Sequence, residues 1–354
     1  MFAVMNRAIK NVGDALIFHR GMELLRAASP GGVFVEACGW QPLAATFSAA
    51  QIGTIRRIIV PGGPGLRNGL RTMYPFLPEA IARDIPVSFL GVGARYFPAA
   101  LPHRAPRFDA ETAADLAYVA RSGPIGVRDY ITAQLLRQHG VEARVNGCPA
   151  WYALSTIDDP PVMPTRLETV AFTPPAHPLY LDQAVGLLRG VRRLFPRADL
   201  VVGFHRGVHA DEHTSIEEER RNLVLVRAAE ALGGRVLDLS GSVEKLRAYD
   251  RCDIHIGYRV HAHLYFSSLH RPSFLVAEDV RGLGALHAIA GVGMPGWHVD
   301  IESAVDAGDV LAWLELMLQR YAETGQSTLE AVADTIRWHW RHRMSVAVAR
   351  AVAT

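Results

Sequence analysis

Residues 158–164 read Asp158-Asp159-Pro160-Pro161-Val162-Met163-Pro164. Three prolines within five positions can continue neither a helix nor a central strand, so regular structure must stop here. The break is informative because one pattern runs up to it and the same pattern restarts beyond it. Upstream, short apolar runs at 33–37, 57–61, 86–91, 124–127 and 143–146 read as strands, and 14–28, 70–83, 109–121 and 129–139 carry apolar residues at helical spacing. Downstream, strands are expected at 168–173, 199–204, 235–239, 252–256 and 273–277, and helices at 179–195, 216–232, 243–249 and 259–269. Strand–helix alternation means βαβ units and a parallel sheet. The expectation is therefore an α/β protein of two parallel-sheet domains, 1–156 and 167–302, hinged near 157–166. Residues 303–354 add two helices, one of which can pack back on the first domain.

Composition agrees with this division. The 354 residues suffice for two domains. With 49% hydrophobic and 20% charged residues, the chain can fill packed cores and is not a disordered protein. A formal charge of +2 lacks the basic excess of a polyanion binder, so nucleic acid is not the expected partner. No run of 18 apolar residues occurs and the N-terminus has no signal-like apolar stretch, which reads as a cytoplasmic protein. Cys38, Cys148 and Cys252 stand far apart, without the pairing of a disulfide or thiolate zinc site, and read as small buried residues.

In open α/β sheets, ligands bind beyond the carboxyl ends of the strands, where the strand order reverses. Several motifs fall there. Asn11-Val12-Gly13-Asp14 opens a helix, where Asp14 can cap free N–H groups and Gly13 allows close backbone approach; it reads as a helix cap or a ligand contact. Pro61-Gly62-Gly63-Pro64-Gly65 and Gly91-Val92-Gly93 each follow a strand, as a tight turn or an anion-binding backbone concavity. Gly126-Val127-Arg128-Asp129 offers a guanidinium fork for a phosphate or carboxylate, or a surface Arg–Asp pair. Beyond the break, Gly203-Phe204-His205-Arg206-Gly207 introduces His205, His209 and His213 at four-residue spacing. The glycines argue against the continuous helix that would stack these imidazoles on a metal. They read instead as solvated loop histidines, or as ligand contacts by His205 or Arg206. The densest stretch is Asp253–His263, where a strand ends at Gly257, and Arg259, His261 and His263 fall in the first turn of a helix whose positive end favours anions.

Taken in order, these segments resemble the polysaccharide pyruvyl transferase family. Residues 11–17 resemble its N-terminal N-x-G-D motif, 61–66 its glycine turn, and 126–140 its R-D/E-x-S-x-x-x-L-x-x-x-G segment. Residues 253–279 resemble its I-G-x-R-x-H-A…P signature, the most specific element. The chain departs from the pattern with Cys148-Pro149-Ala150 in place of Asp-Pro-Ala and with Ile131 in place of a serine. Glu278-Asp279-Val280-Arg281 matches the family's terminal Asp-x-Lys region loosely.

The resemblance implies two Rossmann-like domains facing a crevice, similar to the GT-B fold of inverting glycosyltransferases. It also implies transfer from phosphoenolpyruvate to a sugar diol, forming a cyclic pyruvate ketal in polysaccharide or glycoconjugate biosynthesis. The acceptor would be a sugar or a lipid-linked glycan, the latter bringing the protein to the inner membrane face. On this reading Arg259 and Arg128 grip the donor's anions and Gly62, Gly63 and Gly93 supply backbone donors. Asn11, Gly13, His205, Arg206 and His263 complete the binding set. His261 is the expected proton donor, with His263 its rival, and Asp14 the base or acceptor-orienting group. The chemistry needs no metal or cofactor. The alternative is a glycosyltransferase holding a nucleotide-sugar diphosphate in the same crevice, and a catalytically idle binding protein of this fold is a third reading.

Overall fold

The computed structural model describes residues 1–95, 107–161, 163–298 and 303–353. Val162 of the expected hinge and the expected boundary at 302 fall outside the described residues, as does Thr354. The strands are β1 (Phe2–Asn6), β2 (Phe34–Cys38), β3 (Arg57–Val60), β4 (Gly63–Leu66), β5 (Val87–Phe89), β6 (Val92–Ala94), β7 (Ile125–Val127), β8 (Ala143–Val145), β9 (Thr169–Thr173), β10 (Asp199–Phe204), β11 (Arg235–Asp238), β12 (Ile254–Gly257), β13 (Ser273–Ala277) and β14 (Val292–Pro295). The α-helices are α1 (Val12–Ala28), α2 (Ala49–Ile52), α3 (Leu70–Met73), α4 (Leu77–Ala82), α5 (Ala110–Ala120), α6 (Tyr130–Gln138), α7 (Leu181–Leu194), α8 (Ile216–Ala231), α9 (Val260–Ser268), α10 (Val280–Ile289), α11 (Ala307–His339) and α12 (Ser345–Val352).

All the sheet ladders are parallel. The second half forms one six-stranded sheet in the order β11-β10-β9-β12-β13-β14. Counted from β9, that is the 3-2-1-4-5-6 order of a doubly wound dinucleotide-type fold, reversing between β9 and β12. The first half has two four-stranded ladders, β2-β1-β3-β5 and β4-β6-β7-β8. They join because β3 and β4 are successive segments of one path broken at Pro61-Gly62, and β5 and β6 are likewise broken at Leu90-Gly91. Across the break, Leu90 N–H reaches Val60 O and Gly91 N–H reaches Gly126 O, both at 2.9 Å. Here the order reverses beside β1.

Several sequence expectations are corrected. Strands β1 and β14 were not anticipated, nor was helix α10. The glycine-rich stretches after 60 and 90 are not free turns, because the chain kinks and re-enters the sheet as β4 and β6. The helix expected over 70–83 is two short helices, since Pro75 lacks an N–H and turns the preceding residue away from helical geometry. The helix expected at 243–249 is a tighter 3₁₀ segment, Val243–Arg251.

The tail is one long path. Helix α11 lies against α7, where the missing side chains of Gly186 and Gly190 admit Ala307 and Leu311. It continues through a π-turn, Trp340–Met344, into α12, which packs on α1. Met344, Val348 and Ala351 thereby share a core with Leu16, Leu24 and Leu25 of α1, Trp151 and Tyr152, and Leu264 and Phe266 of α9. The two halves are cemented by this common apolar cluster. Cys148 and Cys252 are buried and Cys38 is half-buried. Burial pushes the Cys148 and Cys252 thiols up to about 11, leaving both un-ionised at neutral pH. Among the described residues, no helix is long and apolar enough to cross a membrane.

Candidate active site

Both reversal points open on one crevice. Asn6 and Arg7 lie at the carboxyl end of β1, Pro61-Gly62 at that of β3, Thr173 at that of β9 and Gly257 at that of β12. Three adjoining cavities of about 270, 30 and 140 Å³ fill the space between. Asn11 walls the first and second, Arg95 and Arg206 the first and third, and Arg259, Glu278, Asp279 and Arg281 the second and third.

The first turn of α9 reaches across the crevice. His261 is buried and its imidazole rests directly on the α-carbon of Gly13, in the space a side chain there would fill. Asn11 caps α1, accepting from Gly13 N–H at 3.2 Å, and its amide donates to Asp14 Oδ2 at 3.0 Å. Val12 N–H donates to the backbone carbonyl of His205 at 3.0 Å, a second tie between the halves. Arg259 is fixed by its own N–H on Thr173 Oγ1 at 3.1 Å, and its Nε is buried without a partner.

Cations dominate. Arg281 is held in bidentate fashion by Asp279, with Nε–Oδ1 at 2.9 Å and Nη2–Oδ2 at 2.7 Å. Arg7, Arg95, Arg206 and Arg259 make no ion pair among the described residues. Glu278 accepts the N–H groups of Ala176 and His177 at 2.7 and 2.8 Å. Burial, aided by the charges of Arg281, Arg128 and Arg259, drives His261 down to about 3. Burial also drives the Asp14 carboxyl up, against the Asn11 hydrogen bond and the charges of Arg281, Arg7 and Arg206. Burial thus holds His261 neutral, and Asp14 takes up a proton more readily than an ordinary aspartate.

Of the residues expected from sequence, Asn11, Asp14, Gly62, Gly63, His205, Arg206, Arg259 and His261 do line the crevice. Gly62 offers no free donor, because its N–H is spent on Val60 O at 2.9 Å. Gly13 serves by being small. Arg128 is corrected: it is neither a surface residue nor a crevice wall. Its guanidinium is buried, donating to Ala94 O at 2.9 Å and to Asp129 at 3.2 Å. Gly93 lies inside β6 and is bare because Arg128 packs over it. His263 is corrected too, since it points into the second domain and its Nδ1 meets Ser273 Oγ at 2.8 Å. His205 turns its ring onto the Tyr249 hydroxyl at 3.0 Å, while His209 and His213 lie on separate loop positions beside Glu219 and Glu212. Sequence reasoning missed Arg7, Arg95, Glu278, Asp279 and Arg281. The signal was legible for Glu278, Asp279 and Arg281, which follow the expected strand at 273–277, but not for Arg7 and Arg95, which follow the unexpected strands β1 and β6.

The architecture has known counterparts. It is similar to a UDP-N-acetylglucosamine 2-epimerase from Neisseria meningitidis bound to UDP-GlcNAc, with 8% identity and a TM-score of 0.58, covering 94% of each chain. It is similar to an S. aureus MnaA–UDP co-structure, with 9% identity and a TM-score of 0.56 over 94% of this chain and 90% of that one. A glycosyltransferase from Rickettsia africae ESF-5 aligns with 8% identity and a TM-score of 0.54 over 99% of this chain and 95% of that one. Such identities speak for the fold alone: two Rossmann-like domains of the GT-B kind. No curated protein matches the sequence. The sequence pattern of the polysaccharide pyruvyl transferase family matches residues 11–280, and the chain belongs to that family. It is a transferase.

Proposed function

We propose that the protein transfers the enolpyruvyl-derived group of phosphoenolpyruvate to a sugar diol, releasing phosphate and leaving a pyruvate ketal. The observation that carries this reading is the convergence of Arg206 and Arg259, neither in an ion pair among the described residues, with Arg281 on two adjoining cavities, one of them lined by His261. A phosphate and a carboxylate on one small donor are the anions such a set would hold. The division into 1–156, 167–302 and a helical 303–354 is part of the proposal, with donor groups on the second unit and Asp14 on the first.

In the reaction, one proton goes to the donor's methylene carbon and C2 becomes oxocarbenium-like. A sugar hydroxyl then attacks C2 and loses its proton. Phosphate then leaves with the electrons of its bond to C2, regenerating an oxocarbenium-like centre, and the second hydroxyl adds to C2 and gives its proton to the released phosphate, closing the ring. His261 is the proposed source of the first proton. Burial and then the neighbouring arginines hold its pKa at about 3, and the donor's negative charges would raise it toward the range of a useful acid. Asp14 faces the acceptor side and takes the hydroxyl proton. No cofactor takes part, and a lipid-linked acceptor would draw the protein to the cytoplasmic membrane face.

The test is phosphate release from phosphoenolpyruvate mixed with candidate glycans, together with a new ketal methyl signal by NMR. UDP-sugars belong in parallel, because a diphosphate would suit the same arginines and UDP-type ligands are named for two of the fold relatives. Turnover of a UDP-sugar without phosphoenolpyruvate would replace this reading by glycosyl transfer.

A further inference from the structure

Arg7 is not among the arginines assigned to the donor. Arg7 follows the carboxyl end of β1 and lines the cavity of about 270 Å³, whereas Arg259 and Arg281 line the adjoining one. Its guanidinium carbon lies 3.9 Å from the Trp40 ring centre and 4.5 Å from that of Tyr74. Trp40 is pinned in place by its indole N–H on the Arg7 carbonyl at 2.9 Å. Two glycines clear the space. A side chain on Gly39 would strike the Arg7 stem, and one on Gly65 would strike Nη1 and the Tyr74 hydroxyl. Nε and Nη1 are buried and make no hydrogen bond of good geometry, the Tyr74 hydroxyl being the polar group beside Nη1, and Arg7 makes no ion pair among the described residues. Asp14, which feels the Arg7 charge, is held by Asn11. Two nitrogens of this half-buried guanidinium are out of solvent and unpaired, a cost that a ligand anion would offset. Two rings and two glycines hold the group in one orientation, which a planar fork needs if it is to read an oxyanion.

We propose that Arg7 reads an anion on the acceptor, and that the acceptor is a sugar carrying its own negative charge, as a phosphate ester or a carboxylate. The cavity of about 270 Å³ also presents Trp40, 38% exposed, whose outer face offers an apolar platform for a sugar ring. The word acceptor rests on the pyruvyl-transfer reading; the anion subsite itself does not.

Calorimetry with glucose, glucose 1-phosphate and glucuronate tests it. The wild-type protein should favour at least one charged sugar over glucose by about ten- to a hundred-fold, as expected for a charge-assisted contact. Arg7→Gln should bring that ratio close to one. Arg7→Lys, which keeps the charge and loses the fork, should retain part of it, and provides the reading if the Gln variant does not fold. The favoured sugar distinguishes phosphate from carboxylate. A wild-type ratio near one, or a ratio that either substitution leaves unchanged, overturns the proposal. Phosphoenolpyruvate titrated into the wild-type protein separates the two ideas. No donor binding with an Arg7-dependent ratio removes pyruvyl transfer and keeps the subsite, whereas donor turnover with no such ratio removes the subsite alone.

Discussion

The imidazole of His261 occupies the volume that a side chain at residue 13 would fill, so Gly13 and His261 form one interlocking contact across the crevice. A methyl group on Gly13 would lie 2.6 Å from His261 Cγ and 2.8 Å from its Cβ. The second distance matters most, because Cβ cannot swing away as the end of a flexible side chain could. Helix α1 positions Asp14 one residue further on, so this contact also sets the spacing between the two groups proposed to move protons.

Gly13→Ala should therefore destabilise, although alanine is the better helix former by about 1 kcal/mol. Overpacking at a buried contact costs about 1–3 kcal/mol and outweighs that gain. Thermal unfolding should show a lowered Tm, and turnover should fall with it. Adding His261→Ala should restore the Tm without restoring turnover, a double-mutant coupling. A single variant as stable as the wild type would disprove the contact.

Arg259→Ala should weaken phosphoenolpyruvate binding by about 1.5–3 kcal/mol, the range for hydrogen bonds to charged groups. Lysine should rescue in part, since it lacks the planar fork. Donor titration of correctly folded variants checks this, and an unchanged Kd would remove Arg259 from the donor site.

His261 and His263 should separate cleanly. His261→Ala should lower the single-turnover rate by about 10²–10⁴-fold, with a smaller effect on donor Kd than Arg259→Ala. In His263→Ala, the lost bond to Ser273 should appear as reduced stability, with the chemical step nearly normal in the folded fraction. Loss of chemistry in the His263 variant alone would reverse the assignment.

Arg128→Ala should act on the fold. Removing one partner of a buried pair leaves Asp129 uncompensated, at a cost of about 3–5 kcal/mol. Denaturant melts should show the loss. A variant of normal stability with a weakened donor Kd would instead return Arg128 to the binding site.

Mild acid should unfold the protein. Burial holds His205, His255, His261 and His263 below the ordinary histidine range, His261 at about 3 and His263 at about 4. The unfolded chain takes up these protons near pH 6.5 and the folded chain does so far lower. The stabilisation is complete above pH 6.5 and is lost as pH falls toward the folded values. Each group contributes a slope of about 1.4 kcal/mol per pH unit inside that window. Denaturant melts at pH 7.5 and 5.5 should differ accordingly, and equal stabilities would contradict neutral burial of these rings.

What the sequence by itself determined was local. Apolar runs of strand length alternating with helical spacing required parallel βαβ units, because such runs bury both faces of a sheet. The prolines at 160, 161 and 164 required a break, and Gly257-Tyr258-Arg259-Val260-His261 required a strand end followed by a helix start. Tertiary structure decided the rest, because it depends on which side of a short segment each group faces and on what lies opposite. His261 and His263 differ by two residues, about 200° around a helix, so one meets Gly13 across the crevice and the other meets Ser273 in the core. Arg128 looked like an anion grip until β6 was seen to bury it. Arg7 stood just past an unanticipated strand, and its two ring partners come from residues 40 and 74, distances along the chain that no local pattern spans. The pKa values of Asp14 and His261 likewise belong to the closed crevice, since burial and the arginine field that shift them exist only once the two sheets have come together.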